Sequence, residues 1–118
     1  SNARCAAFSK NAMSFEITVQ ELQAKQDTGT DFVLLDVREP EEVELVQLPN
    51  SVHIPMGDIP SRLHELDPDS EIVVYCHHGV RSLQVAHFLH QHDFEHIVSL
   101  AGGIDVWAIE IEPEMARY

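Results

Sequence analysis

The stretch Ile72-Val73-Val74-Tyr75-Cys76-His77-His78-Gly79-Val80-Arg81-Ser82 decides the fold. Its opening residues are apolar without alternation, the pattern of a strand covered on both faces. The turn Asp67-Pro68-Asp69-Ser70 precedes it, and it runs without a break into a short loop containing Gly79. At about 100° per residue, Leu83, Val85, Ala86 and Leu89 then share one broad face, with Gln84, His87 and Gln91 opposite. That predicts a helix from residue 82 to about 92 lying on a sheet. Strand, tight loop and helix in this order form an α/β unit, and open α/β sheets place their ligands at the carboxyl ends of such strands.

The flanking sequence repeats the pattern. Thr18-Val19-Gln20-Glu21 is a capping box that opens a helix over residues 19 to about 26. Turn residues Asp27-Thr28-Gly29-Thr30 follow, and Phe32-Val33-Leu34-Leu35 is a second unalternating strand. After Asp36-Val37-Arg38, Pro40 and the acids that follow Glu39 suit the first turn of a short helix. Residues 51–54 read as a brief strand ended by Pro55, residues 60–66 as a short helix with Leu63 and Leu66 apolar, and residues 97–100 as the last strand. Short strands alternating with helices predict an α/β domain, a mostly parallel sheet of about five strands with helices on both faces.

A chain of 118 residues suffices for one such domain and one core. Ser1-Asn2-Ala3 reads as the scar of a cleaved tag, so residues 1–14 are assigned to that remnant and an N-terminal arm, 15–112 to the domain and 113–118 to a C-terminal tail. The longest apolar runs are far below the roughly 20 residues of a membrane helix, and residues 4–12 lack the apolar region of a signal peptide. A cytoplasmic location follows, without a membrane partner. In a reducing compartment Cys5 and Cys76 are expected to be unpaired, and a resolving role for Cys5 is disfavoured. Seven Lys and Arg against twenty Asp and Glu give a net charge of −13, which repels a phosphate backbone. Nucleic acid is not an expected partner.

The chemistry concentrates at Cys76. Successive amides of the loop and the first N–H groups of the following helix can converge on its sulfur and favour negative charge there. Gly79 permits the tight loop, and Arg81 supplies a permanent cation with forked donors. A small buried hydrophobe at Cys76 and a plain surface charge at Arg81 are the alternatives.

The segment from Cys76 to Ser82 resembles the active-site loop of the rhodanese-like sulfurtransferases. Three further stretches agree in order: Leu35-Asp36-Val37-Arg38-Glu39-Pro40-Glu41-Glu42 is similar to that family's first signature, residues 49–55 to its second, and Leu100-Ala101-Gly102-Gly103-Ile104-Asp105-Val106-Trp107 to its C-terminal one. The resemblance covers about residues 15–110. It implies the family's three-layer fold and a sulfurtransferase in which the Cys76 thiolate takes the outer sulfur of a donor such as thiosulfate and passes it to a thiophilic acceptor, cyanide in an assay or a thiol or protein in the cell. It further implies that Arg81, His77, His78, Gly79 and Val80 bind substrate and that Asp36, Arg38 and Ser82 support the site, with no cofactor and no metal. The six-residue span from Cys76 to Arg81 matches the sulfurtransferases, whereas the phosphatases and arsenate reductases of this fold have one residue more. A non-catalytic binding or regulatory module is the main alternative, and the intact Cys76 and Arg81 speak against it. The chain departs from the second signature at Val46-Gln47 and at Asn50, where the family has Gly-His and glycine; Asn50 can still adopt the left-handed conformation.

The remaining candidates read as structural. His87, His90, His92 and His96 lack the spacing of a metal site and are assigned to a solvated face. Trp107 is a core filler, and Gly102-Gly103 brings a loop close to the site or starts a helix. Acid clusters at residues 39–44, 67–71 and 110–114 are expected to be solvated helix ends and a tail. Their charge nevertheless opposes the approach of an anion such as thiosulfate.

Overall fold

The structure, a computed structural model, describes residues 15–118. The tag remnant, the N-terminal arm and Cys5 lie outside the described residues. Strand β1 (Glu16–Ile17) leads into helix α1 (Val19–Asp27), β2 (Val33–Asp36) into α2 (Pro40–Leu45), and β3 (Ser51–His53) into two 3-10 turns, Met56–Asp58 and Pro60–Glu65. Then come β4 (Ile72–Tyr75), α3 (Val80–Gln91), β5 (Ile97–Leu100) and α4 (Gly103–Glu110). The capping box forms as its residues dictate: Glu21 N–H donates to Thr18 Oγ1 at 3.1 Å while Thr18 N–H donates to Glu21 Oε1 at 2.7 Å. A second reciprocal cap starts α2, where Glu39 N–H donates to Glu42 Oε1 at 2.9 Å.

All the strands pair in parallel in the order β1-β5-β4-β2-β3, so β4 is central. Alternation along its residues splits the core into two layers. Ile72, Val74 and Cys76 face one side with Leu35, Ile97 and the α3 residues Val85, Ala86 and Leu89. Val73 and Tyr75 face the other with Leu34, Leu100, Val19 and Leu22 of α1 and Ile104 and Trp107 of α4. Both faces are therefore dry, which is why β4 carries no polar alternation. Burying each such aliphatic side chain stabilises the fold by roughly 1.5–3 kcal/mol. Among the described residues no helix is long and apolar enough to cross a membrane.

Local differences from the sequence expectation have identifiable causes. Strand β1 is too short to show a period, and pairing with β5 alone defines it. The expected helix over 60–66 is a kinked 3-10 segment, its non-helical residue being Arg62, because prolines 55 and 60 withhold donors and the next bonds close at i→i+3, as from Leu66 N–H to Leu63 O. Helix α3 starts two residues early, since Gly79 at φ +102° serves as its N-cap. Ser82 is buried on this helix, and Leu83 is only half-buried. Asn50 sits at φ +64°, the conformation expected of it in place of glycine.

Candidate active site

Cys76 leaves the end of β4 with its sulfur turned into the loop that follows. Gly79 N–H donates to Sγ at 3.1 Å and Ser82 N–H at 3.3 Å, and Ser82 Oγ lies 3.5 Å away. These amides are free to turn inward because Gly79 takes a positive φ and α3 opens at Val80, leaving its first N–H groups without helical partners. Ser82 Oγ is fixed in turn by Gly79 O at 3.3 Å and by Ser99 Oγ at 2.7 Å, all three hydroxyl and thiol groups being buried. The arrangement solvates a sulfur anion with backbone dipoles in place of water. Cys76 is 1% exposed.

The turn from β5 into α4 holds the other side of this loop. Ile104 N–H donates to Cys76 O at 2.9 Å and Asp105 N–H to His77 O at 3.1 Å. For α4 to come so close, Gly103 adopts φ +64°, and a Cβ there would stand 2.5 Å from both Cys76 O and His77 O. Both readings of Gly102-Gly103 therefore hold: the pair approaches the cysteine loop and begins a helix. Replacing Gly103 with alanine forces that backbone apart as well as straining φ, and is expected to lower stability by about 2–4 kcal/mol and to slow the chemistry at Cys76. Urea unfolding of the Gly103→Ala variant checks the first, and a loss under about 1 kcal/mol would contradict the described packing.

Asp36 and Arg38 form a buried pair beneath the site, each side chain 0% exposed. Arg38 Nε donates to Asp36 Oδ1 at 2.9 Å and Nη2 to Oδ2 at 2.6 Å, the bidentate geometry that a guanidinium and a carboxylate share. The remaining donors reach Val46 O at 2.8 Å, Glu42 O at 3.3 Å and Tyr118 Oη at 3.0 Å. Burial works against the charged guanidinium, but its hydrogen bonds to Asp36 and Tyr118 outweigh that, so the net shift holds Arg38 protonated. The pair ties α2, the β2 loop and the C-terminal residue together and does not touch the sulfur.

Arg81 does not hang free over the cradle. Its Nη1 and Nη2 donate to Glu42 Oε1 and Oε2 at 2.7 and 2.8 Å. Glu42 is thus not one of the solvated acids that composition suggests; Arg81 above all, with Tyr118 and the Glu39 backbone, holds its carboxyl down to about 2. Tyr118 OH donates to Glu42 Oε2 at 2.8 Å, and its ring stacks on His77 at 3.8 Å. His77 also stacks on His78 at 3.8 Å. Burial and the neighbouring His78 lower the pKa of His77, which keeps that ring neutral near pH 7. His78 and Val80 are exposed, while His87, His90, His92 and His96 all lie on the outer surface. His77, His78 and Asp105 each bring one ligand-type atom within 4.8 Å of the others. His78 Nε2 stands 3.7 Å from Asp105 Oδ2 and Arg117 engages the same carboxylate at 2.8 and 3.2 Å, while His77 Nε2 is buried without a hydrogen-bond partner.

Sequence reasoning did not find Glu42, Ser99, Asp105 or Tyr118 at this site. The reciprocal cap between Glu39 and Glu42 offered a faint signal for Glu42, since it fixes that carboxylate on α2; nothing periodic marks Tyr118.

The domain is thus a three-layer parallel α/β fold with a cysteine cradled by backbone amides at the carboxyl end of its central strand. The family model described as rhodanese-like domain matches residues 18–110, and the chain belongs to that family. It is 39% identical over 99 residues to the putative sulfurtransferase YtwF of Bacillus subtilis (strain 168), covering 84% of this chain and 95% of that protein. It is 35% identical over 91 residues to the thiosulfate sulfurtransferase GlpE of Pseudomonas syringae pv. syringae (strain B728a), covering 77% and 84%. The crystal structure of a rhodanese-related protein from Thermoplasma volcanium superposes with a TM-score of 0.75 at 31% identity, covering 87% of this chain and 98% of that one. Sulfur transfer is the activity these family names share.

Proposed function

We propose that the protein is a sulfurtransferase that carries sulfane sulfur as a persulfide on Cys76. The observation behind this reading is the pair of backbone N–H donors from Gly79 and Ser82 at 3.1 and 3.3 Å from Sγ. Cys76 thiolate attacks the outer sulfur of the donor; the Cys76 S–S bond forms as the donor's S–S bond breaks, and the leaving group departs with the electron pair. With thiosulfate the leaving group is sulfite. The loop amides then hold the persulfide until a cyanide, thiol or protein acceptor attacks its outer sulfur; the acceptor–sulfur bond forms as the S–S bond to Cys76 breaks, and Cys76 thiolate leaves with the electron pair. Gly79 and Ser82 supply donors, Arg81 with His77, His78 and Val80 shapes the approach, and the buried Asp36–Arg38 pair keeps the loop platform rigid. Phosphate transfer suits the site poorly, because the guanidinium fork that a phosphate needs is already occupied by Glu42. Steady-state formation of thiocyanate from thiosulfate or a persulfide with cyanide tests the reading. Turnover supports it, and absence of turnover with every donor returns the chain to a binding module.

A further inference from the structure

Residues 116–118 lie beyond α4, outside any helix or strand, yet the side chains of Arg117 and Tyr118 reach both walls of the cradle. On one wall the Tyr118 ring stacks on His77, the residue next to Cys76, with centroids 3.8 Å apart and planes 10° from parallel. On the other, the Tyr118 hydroxyl donates to Glu42 Oε2 at 2.8 Å and accepts from Arg38 Nη1 at 3.0 Å, so both its donor and an acceptor site are in use. Glu42 in turn holds Arg81 through both terminal nitrogens. His77, Tyr118, Glu42 and Arg81 thus form a circuit that leaves the cysteine loop beside Cys76 and returns at Arg81, with Tyr118 as the member that crosses from the loop to α2. Arg117 fastens the same segment from outside through Asp105, whose own N–H donates to His77 O. Within this circuit Cys76 is 1% exposed, whereas sulfur transfer requires Sγ to meet a donor and then an acceptor. Strand β4, α3 and α4 are fixed by the two apolar layers, and Met115 packs against one of them. The segment after Met115 is held by side chains 54% exposed at Arg117 and 38% exposed at Tyr118. Contacts at such sites open far more readily than core elements do.

We infer that Arg117 and Tyr118 are a latch: they close the mouth of the Cys76 cradle between His77 and Glu42, and donor and acceptor reach the sulfur when residues 116–118 lift away. Met115, seated against the core, is the point about which the segment swings. The inference rests on the persulfide reading of Cys76 and adds an access step to it, in which no covalent bond is made or broken. Tyr118 acts through access alone, so its loss exposes the sulfur while the Gly79 and Ser82 amides that stabilise it stay in place.

The test reads access and chemistry separately. Access is the rate at which iodoacetamide, an uncharged reagent, alkylates Cys76, followed by peptide mass so that Cys5 is counted apart. Chemistry is the rate of persulfide loading from thiosulfate, read by intact mass after acid quench. Tyr118→Ala is expected to raise both, alkylation by about fivefold or more and loading by about threefold or more. A bracing role for Tyr118 would instead loosen the loop and slow loading. Alkylation that does not rise, or loading that stays level or falls, therefore overturns the latch. Should Tyr118→Ala fail to fold, Arg117→Gln decides by alkylation alone: a faster rate supports the latch, and a rate equal to or below that of wild type overturns it. Loading of neither protein by thiosulfate or by a persulfide donor would remove the persulfide reading of Cys76, and the alkylation rates would then decide the latch by themselves.

Discussion

Cys76→Ser is expected to abolish sulfur transfer, lowering turnover by about a thousandfold or more, while leaving the domain folded. The two halves of that expectation have separate origins. An alcohol neither ionises near pH 7 nor forms a stable bond to sulfane sulfur, so the serine cannot store the transferred atom. The smaller hydroxyl still finds partners, because Gly79 N–H, Ser82 N–H and Ser82 Oγ all point at the position of Sγ. The expected stability change is about 1 kcal/mol, well short of unfolding the domain. Thermal melting beside the thiocyanate assay separates the two effects, and turnover comparable to wild type in the serine variant would sink the mechanism.

Arg38→Met is expected to be the most destabilising single substitution considered for this chain, by about 3–5 kcal/mol. The magnitude comes from what is left behind. Asp36 stays at 0% exposure with its cation gone, and the Val46 carbonyl loses its 2.8 Å donor while Tyr118 loses one of its anchors. Removing both charges together, as in Asp36→Asn with Arg38→Met, should recover a large part of the loss, since a buried neutral amide costs far less than a buried lone carboxylate. Urea denaturation of the single and double variants gives the coupling directly. A single-variant loss below about 1 kcal/mol, or strict additivity in the double, would show that the pair is not the buried unit described.

Much of the fold was legible because its signals are local. The unalternating run ending at Tyr75, the capping box at Thr18 and Glu21, and the apolar face of α3 each fit within a dozen residues, so period and cap chemistry identify them. Cys76 and its loop were legible for the same reason, as sulfur, amides and Gly79 are neighbours in the chain. Arg81 was legible as a permanent cation close in sequence to Cys76, but not as one paired with a carboxylate. Its partner Glu42 lies 39 positions away, and its meeting with Arg81 depends on the parallel pairing of β2 with β4, which no local period encodes. Tyr118 is a still longer-range case, reaching back 80 positions to Arg38 from a segment that reads as a polar tail. Side chains on 3-10 turns and two-residue strands escape pattern reading too, because neither element is long enough to show a repeat.

The most direct test of the central claim is the intact mass of the protein before and after incubation with a sulfane-sulfur donor, with Cys76→Ser as the control. Wild type should gain about 32 Da, reversed by a reducing thiol, and the serine variant should gain nothing. No gain on wild type with thiosulfate or with any persulfide donor, or an equal gain on the serine variant, would contradict the assignment of Cys76 as the sulfur carrier.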